Sequence, residues 1–256
     1  MFKATWAARW FVVLGVLTFI FVLVINTPLH FVWRYVEPQA GRLPLKIEQV
    51  SGTLWDGRLR FAVPQLRDLG SLDARWQLSP LALLTGHADL NVRVMGDGVR
   101  LKSAVRVGLD QQVQILGADG YLNADKIQPL LNRNRVSVAG EFELNRLLAS
   151  VNLQTRQFAD VSGRLVYSGG EVSFPVDNKP IRATMPMLIG TLGMEPEKAV
   201  LNVETTEGQA LIQGFMQQDG WGGIAIRRRF LDVLGQKWPA EATEETVIFE
   251  VSHKVL

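Results

Sequence analysis

The residues able to carry catalysis or hold a metal are few and scattered. The three histidines are His30, His87 and His253. No two of them stand at the short spacing that would bring imidazoles together for a zinc ion. The chain has no cysteine, which removes disulfides and thiolate metal sites. No serine sits in a Gly-x-Ser-x-Gly turn, and there is no Gly-x-x-x-x-Gly-Lys-Ser/Thr phosphate loop. The glycine clusters at 96–98 and 220–223 lack the strand–loop–helix setting that cradles phosphate. Glu195 with Glu197, and Glu241 with Glu244 and Glu245, lie beside prolines and read as solvated loop. Nothing gathers a base, a nucleophile and an oxyanion donor. The expectation is a protein that is not an enzyme, with no catalytic residue, no metal and no cofactor.

Two groupings remain. The segment VSGTLWDGRL at 50–59 brackets Leu54 and Trp55 between Gly52 and Gly57, with Thr53 beside them and Asp56-Gly57 available as a tight hairpin turn. Trp55 is then either a core anchor or an exposed aromatic contact for a partner. The second grouping is Arg227, Arg228 and Arg229 followed by Phe230, Leu231, Val233 and Leu234. It predicts a short basic amphipathic helix. Arg228, Arg229, Phe230 and Leu234 either meet a membrane or acidic partner, or the helix packs Phe230 and Leu234 onto the body.

The elements that would carry these residues begin with an apolar run. Between Arg9 and Arg34 lie 24 residues without a formal charge. As a helix they would be about 36 Å long, against a hydrocarbon core of roughly 30 Å. Trp6 and Trp10 at one end, and Trp33 and Tyr35 at the other, are placed as aromatic belts. The expected organisation is a cytoplasmic tail at 1–9, a single-pass signal anchor at 10–33, a Pro-containing linker at 34–45 and a periplasmic domain at 46–256. The chain carries 27 basic and 25 acidic residues. With Lys3, Arg9, Arg34 and Glu37 set aside, 38–256 holds 24 of each sign, so no global field steers it to nucleic acid.

Period-two alternation dominates after the linker. Leu90, Val92 and Val94 share one face, as do Val99, Leu101, Ser103, Val105, Val107 and Leu109. Val136, Val138, Gly140, Phe142 and Leu144 repeat the pattern, followed by Val161 to Tyr167, Val172 to Val176, Leu201 with Val203, and Val247 to Val255. One dry and one wet face, with turn signals about every ten residues, predicts a mainly β, largely antiparallel curved or sandwich-like sheet. Helices are predicted only at 79–85, 124–131 and 228–234. VSGTL at 50–54, VAGEF at 138–142 and VSGRL at 161–165 form a weak repeat, each copy of which would mark an equivalent entry into the sheet.

The order of parts resembles the type II secretion system protein N (general secretion pathway protein N) family: a short basic tail, one anchor, a linker with Pro44, then Gly52, Thr53, Leu54, Trp55 and Gly57 as a Gly-Thr-Leu-Trp-x-Gly element, ARWQLSPLALLTGHADLNV at 74–92, and a β-rich remainder. That resemblance implies an inner-membrane protein of the type II secretion machinery. It would support export of folded proteins across the outer membrane through contacts with the inner-membrane platform or the secretin. Its other contact is with inner-membrane lipid, through the anchor. The family brings no catalytic residues to carry over. A second resemblance competes: the strand, Pro-Leu-x-Leu-Leu helix, Gly and strand at 76–94 are similar to units of AsmA-like envelope proteins, which implies a sheet whose apolar groove binds or conducts lipid.

Overall fold

The structure is a computed structural model that describes residues 45–155, 157–176, 179–235 and 242–254, with isolated positions between 14 and 29. Among the described residues thirteen strands form one sheet. In spatial order they are β1 (Lys46–Gly52), β2 (Asp56–Ala62), β3 (Ser71–Leu78), β4 (His87–Gly96), β5 (Val99–Gly108), β6 (Gln112–Asn123), β8 (Glu141–Asn152), β9 (Phe158–Tyr167), β12 (Leu188–Glu195), β13 (Lys198–Thr205), β14 (Ala210–Gln217), β15 (Trp221–Arg227) and β16 (Val247–Lys254). A second, three-stranded sheet holds β7 (Ser137–Val138), β10 (Gly170–Val176) and β11 (Lys179–Met185). Every pairing is antiparallel. The short helices α1 (Pro80–Leu83), α2 (Gln128–Leu131) and α3 (Arg228–Val233) fall inside the three predicted helical segments.

Register turns the alternation into a continuous apolar face. Val50, Leu59, Ala74, Val94, Leu101 and Gly120 stand directly opposite one another across β1 to β6. The row continues through Leu144, Leu165, Gly190, Val203, Ile212, Ile226 and Phe249 to β16. No member of that row is polar. A one-residue slip anywhere would send a strand's apolar set to the wet face, so the pattern holds every strand in place.

Part of this face is covered by the small sheet and α3. Tyr167, Met185, Leu188, Leu211 and Leu234 form a buried cluster. Against it pack Phe142, Val203 and Ile212 from the large sheet, Val138, Val172, Phe174 and Ala183 from the small one, and Phe230, Leu231 and Val233 from α3 and its end. Gly140 makes this layer possible. The predicted strand 136–144 is in fact two strands in two sheets, and the chain crosses between them at Gly140, where φ is +106°. A Cβ there would lie 2.3 Å from the Gly169 carbonyl oxygen, so no other residue fits without moving backbone.

Gly52 and Gly140 are strand-end positions with positive φ, whereas Gly163 lies inside β9 without one. The three Val-[Ser/Ala]-Gly segments are therefore not equivalent points of entry.

The predicted span at 10–33 lies largely outside the described residues. Within it, Leu14 to Val16, Thr18, Phe19 and Val22 are helical. Leu14, Val16, Phe19 and Val22 are each more than half exposed. Among the described residues no helix is long and apolar enough to cross a membrane.

Candidate functional site

The Gly-Thr-Leu-Trp-x-Gly element is the β1–β2 hairpin. Its turn is not at Asp56-Gly57 as predicted, since both residues are already in β2 and Gly57 pairs with Gly52. The loop is closed instead by Thr53, whose N–H donates to Asp56 O at 2.9 Å and whose hydroxyl accepts from Asp56 N–H at 3.1 Å. Leu54 and Trp55 form the tip. Gly52 has φ +91° and its missing Cβ would sit 2.3 Å from Asp56 O, which explains the first glycine. The second is explained by a residue the sequence reading passed over. The Trp76 indole from β3 lies flat on Gly57, where a Cβ would be 2.1 Å from the ring. Its Nε1–H donates to Leu54 O at 3.1 Å. Trp55 is half-buried, and its carbonyl accepts from Leu78 N–H at 2.8 Å.

This hairpin also meets the chain that precedes it. Asn26 donates to Val22 O from both its backbone N–H and its side-chain amide, at 3.0 and 2.8 Å. Pro28 then forms a β-bridge with Thr53, and Leu29 is buried.

At the other end of the sheet, β12 to β16 leave a trough of about 590 Å³. Its floor is the uncovered apolar face: Leu192, Leu201 and Met216 in the middle, Ile224, Phe249 and Val251 toward the edge. Ile224 is 52% and Phe249 54% exposed. Among the described residues β16 is an edge strand, with no neighbour on its outer side, where a strand could be added.

The arginine triplet is engaged within the chain. Arg227 binds Glu245 at 2.8 Å, and Arg229 binds Glu244 at 2.9 Å and Glu245 at 2.5 Å. The Glu244 hydrogen bond raises the Arg229 pKa above its ordinary value, against the opposing effect of burial. Arg228 donates to Ala242 O, and among the described residues its buried Nε has no partner. Leu234 is in the core, with Phe230 packed against it. The three cations thus hold 242–246 against α3, and the apolar side chains that a membrane would need are turned inward.

The wet face carries a feature visible only once register is known. Arg58, Arg75, Arg93 and Lys102 stand directly opposite one another on β2, β3, β4 and β5. All four are exposed, and among the described residues none of them forms an ion pair. Their neighbours are paired: Arg60 with Asp73 at 3.0 Å and Arg106 with Asp89 at 2.7 Å. The Arg106 hydrogen bond holds the Asp89 carboxyl below its usual range. Like charges directly opposite are destabilising by up to about 1 kcal/mol per pair. Arg75→Gln with Arg93→Gln should therefore raise the melting temperature by about 2–4 °C; a fall would mean that the row supports the fold.

Among the described residues no group of three or more His, Cys, Asp or Glu could hold a metal ion. The candidate site is a set of surfaces on a large antiparallel sheet. A family model for type II secretion system protein N matches residues 44–227, from before β1 through β15. The chain belongs to that family, and with it goes a role in type II secretion alongside other components of that system. No curated protein and no solved structure matches it.

Proposed function

We propose that the chain is a non-enzymatic inner-membrane component of the type II secretion machinery. Residues 10–33 anchor it, and the sheet stands in the periplasm. It supports export of folded proteins across the outer membrane by contacting the inner-membrane platform or the secretin. The observation that carries this is the family match over 44–227. In support, the described apolar residues between Leu14 and Val22 are helical and exposed. The body also offers the free edge of β16 and an unpaired cationic row, both suited to protein contacts.

The test is secretion of a folded exoprotein after gene deletion, together with photo-crosslinking from positions 224 and 249. Loss of secretion and crosslinks to another secretion component are expected. Normal secretion without the gene would overturn the proposal.

The trough favours a second reading, in which the apolar face takes a phospholipid acyl chain. Large apolar surfaces are seldom left bare without an occupant. In native mass spectra of the full chain, phospholipid retained by wild type and lost in Ile224→Asp would favour it. Identical spectra without lipid would remove it.

A further inference from the structure

Strand pairing sorts the turns into two ends. At one end lie the β1–β2 turn, α1 with the residues up to β4, the β5–β6 turn and the β8–β9 turn, at neighbouring places along the sheet. Backbone hydrogen bonds lace them together: Leu78 N–H to Trp55 O, Leu109 N–H to Gly86 O, and Leu153 N–H to Gln111 O.

Each of these turns carries an exposed leucine. Leu54 is 36%, Leu81 75%, Leu84 84%, Leu109 87% and Leu153 57% exposed. At the opposite end the β4–β5 turn is Asp97-Gly98 and the β9–β10 turn is Ser168-Gly169, with Leu130 of α2 36% exposed; at the leucine-bearing end the leucines are confined to the turns of β1 to β9, since the β12–β13 and β14–β15 turns there are Pro196-Glu197 and Gln218-Asp219. A loop tip in water is ordinarily polar. Four adjacent tips that each present leucine mark a surface meant to leave water.

The chain itself indicates what covers it. The preceding segment arrives at this same end, where Pro28 bridges Thr53. Pro28 and Leu29, at the far end of the apolar run, therefore lie beside the leucine-bearing turns.

We propose that these turns form a rim that sits in the lipid interface beside the anchor and seats the sheet upright on the membrane. The inference rests on the anchored reading of 10–33. Short side chains on loop tips reach only the headgroup and upper acyl layer, the depth at which interfacial elements lie. Asp110 stays compatible with that depth because its carboxylate turns back to accept the Gln112 N–H at 3.1 Å.

The absence of native cysteine makes the test direct. Single cysteines at 84, 109 and 153, with one at 97 as the far-end control, are labelled with an environment-sensitive fluorophore. The full chain is reconstituted at high dilution in phosphatidylethanolamine–phosphatidylglycerol vesicles. Blue-shifted emission from the first three labels and quenching by lipids bearing a shallow nitroxide are expected, with an aqueous spectrum at 97. The pair Leu84→Asp and Leu109→Asp should return the 153 label to water. Both positions are exposed, so the fold is not at issue.

Aqueous spectra at all sites while the chain resists alkaline extraction would overturn the rim and leave the anchor. A label shielded from water but unquenched by nitroxide lipid would mean a protein contact, and would equally overturn it. Release of the chain by alkali would sink the anchored reading, and this inference with it.

Discussion

Replacing Tyr167 with alanine is expected to cost about 3–5 kcal/mol, the range for removing a large aromatic from a packed core. Tyr167 is 7% exposed and its ring stacks on Phe142 with centroids 4.9 Å apart. Its hydroxyl donates to Ala139 O at 2.6 Å, and Ala139 N–H in turn donates to Glu171 O at 2.8 Å. One side chain of the large sheet thus grips the segment where the chain changes sheets. Tyr167→Phe keeps the ring and should lose only about 0.5–1.5 kcal/mol, the net worth of the hydrogen bond to the half-buried Ala139 carbonyl. Urea unfolding of the full chain measures both. Proteolysis of the alanine variant should begin in the small sheet, near 136–140 or 168–187, while β1 to β6 stay protected. A loss under about 1 kcal/mol for Tyr167→Ala would show that the small sheet is held by other contacts.

That division also marks how much could be seen in the sequence. Strands with a largely polar second face, such as β4, β5 and β9, announce themselves by alternation because water enforces the polar positions. β14 and β15 do not. They carry Gly214, Gly222 and Gly223, and β14 places Phe215 opposite the buried Val200 on the second face. The β7–β8 junction was hidden for another reason. Val136 to Leu144 keeps period two straight through Gly140, and only the positive φ there shows the chain leaving one sheet for the other.

The glycines of the β1–β2 element were visible, but their cause was not. The sequence draws attention to Trp55, its neighbour. The contact that demands Gly57 comes from Trp76, 19 positions away, and exists only because β2 and β3 pair with Gly57 opposite Trp76. The cationic row has the same character. Arg58, Arg75, Arg93 and Lys102 look like ordinary wet-face residues until register aligns them, since register belongs to pairs of strands and not to one. The loop leucines were legible singly and meaningless until the turns were sorted by end.

The Gly57–Trp76 contact yields the second large effect. Gly57→Ala places a methyl where the indole already lies, 2.1 Å from the ring by its ideal position. The ring must lift, at a cost of about 1–3 kcal/mol for overpacking. Lifting also breaks the Nε1–H bond to Leu54 O, a further loss of about 0.5–1.5 kcal/mol. Trp76→Ala should cost about 2–3 kcal/mol, less than a fully buried tryptophan because Trp76 is only half-buried.

The double-mutant cycle separates sterics from backbone conformation. Since Gly57 is not among the positive-φ glycines, alanine strains nothing there once the indole is gone. Gly57→Ala should then cost under about 0.5 kcal/mol in a Trp76→Ala background. An undiminished cost in that background would mean that the glycine serves something other than the indole.

The Trp55 carbonyl keeps its bond from Leu78 when Gly57 is changed only if the tip holds its place. The same hairpin carries Thr53, which meets Pro28. A change at Gly57 that loosens the Leu54–Trp55 tip would therefore reach the point where the chain enters the sheet, and secretion should weaken in Gly57→Ala and Trp76→Ala.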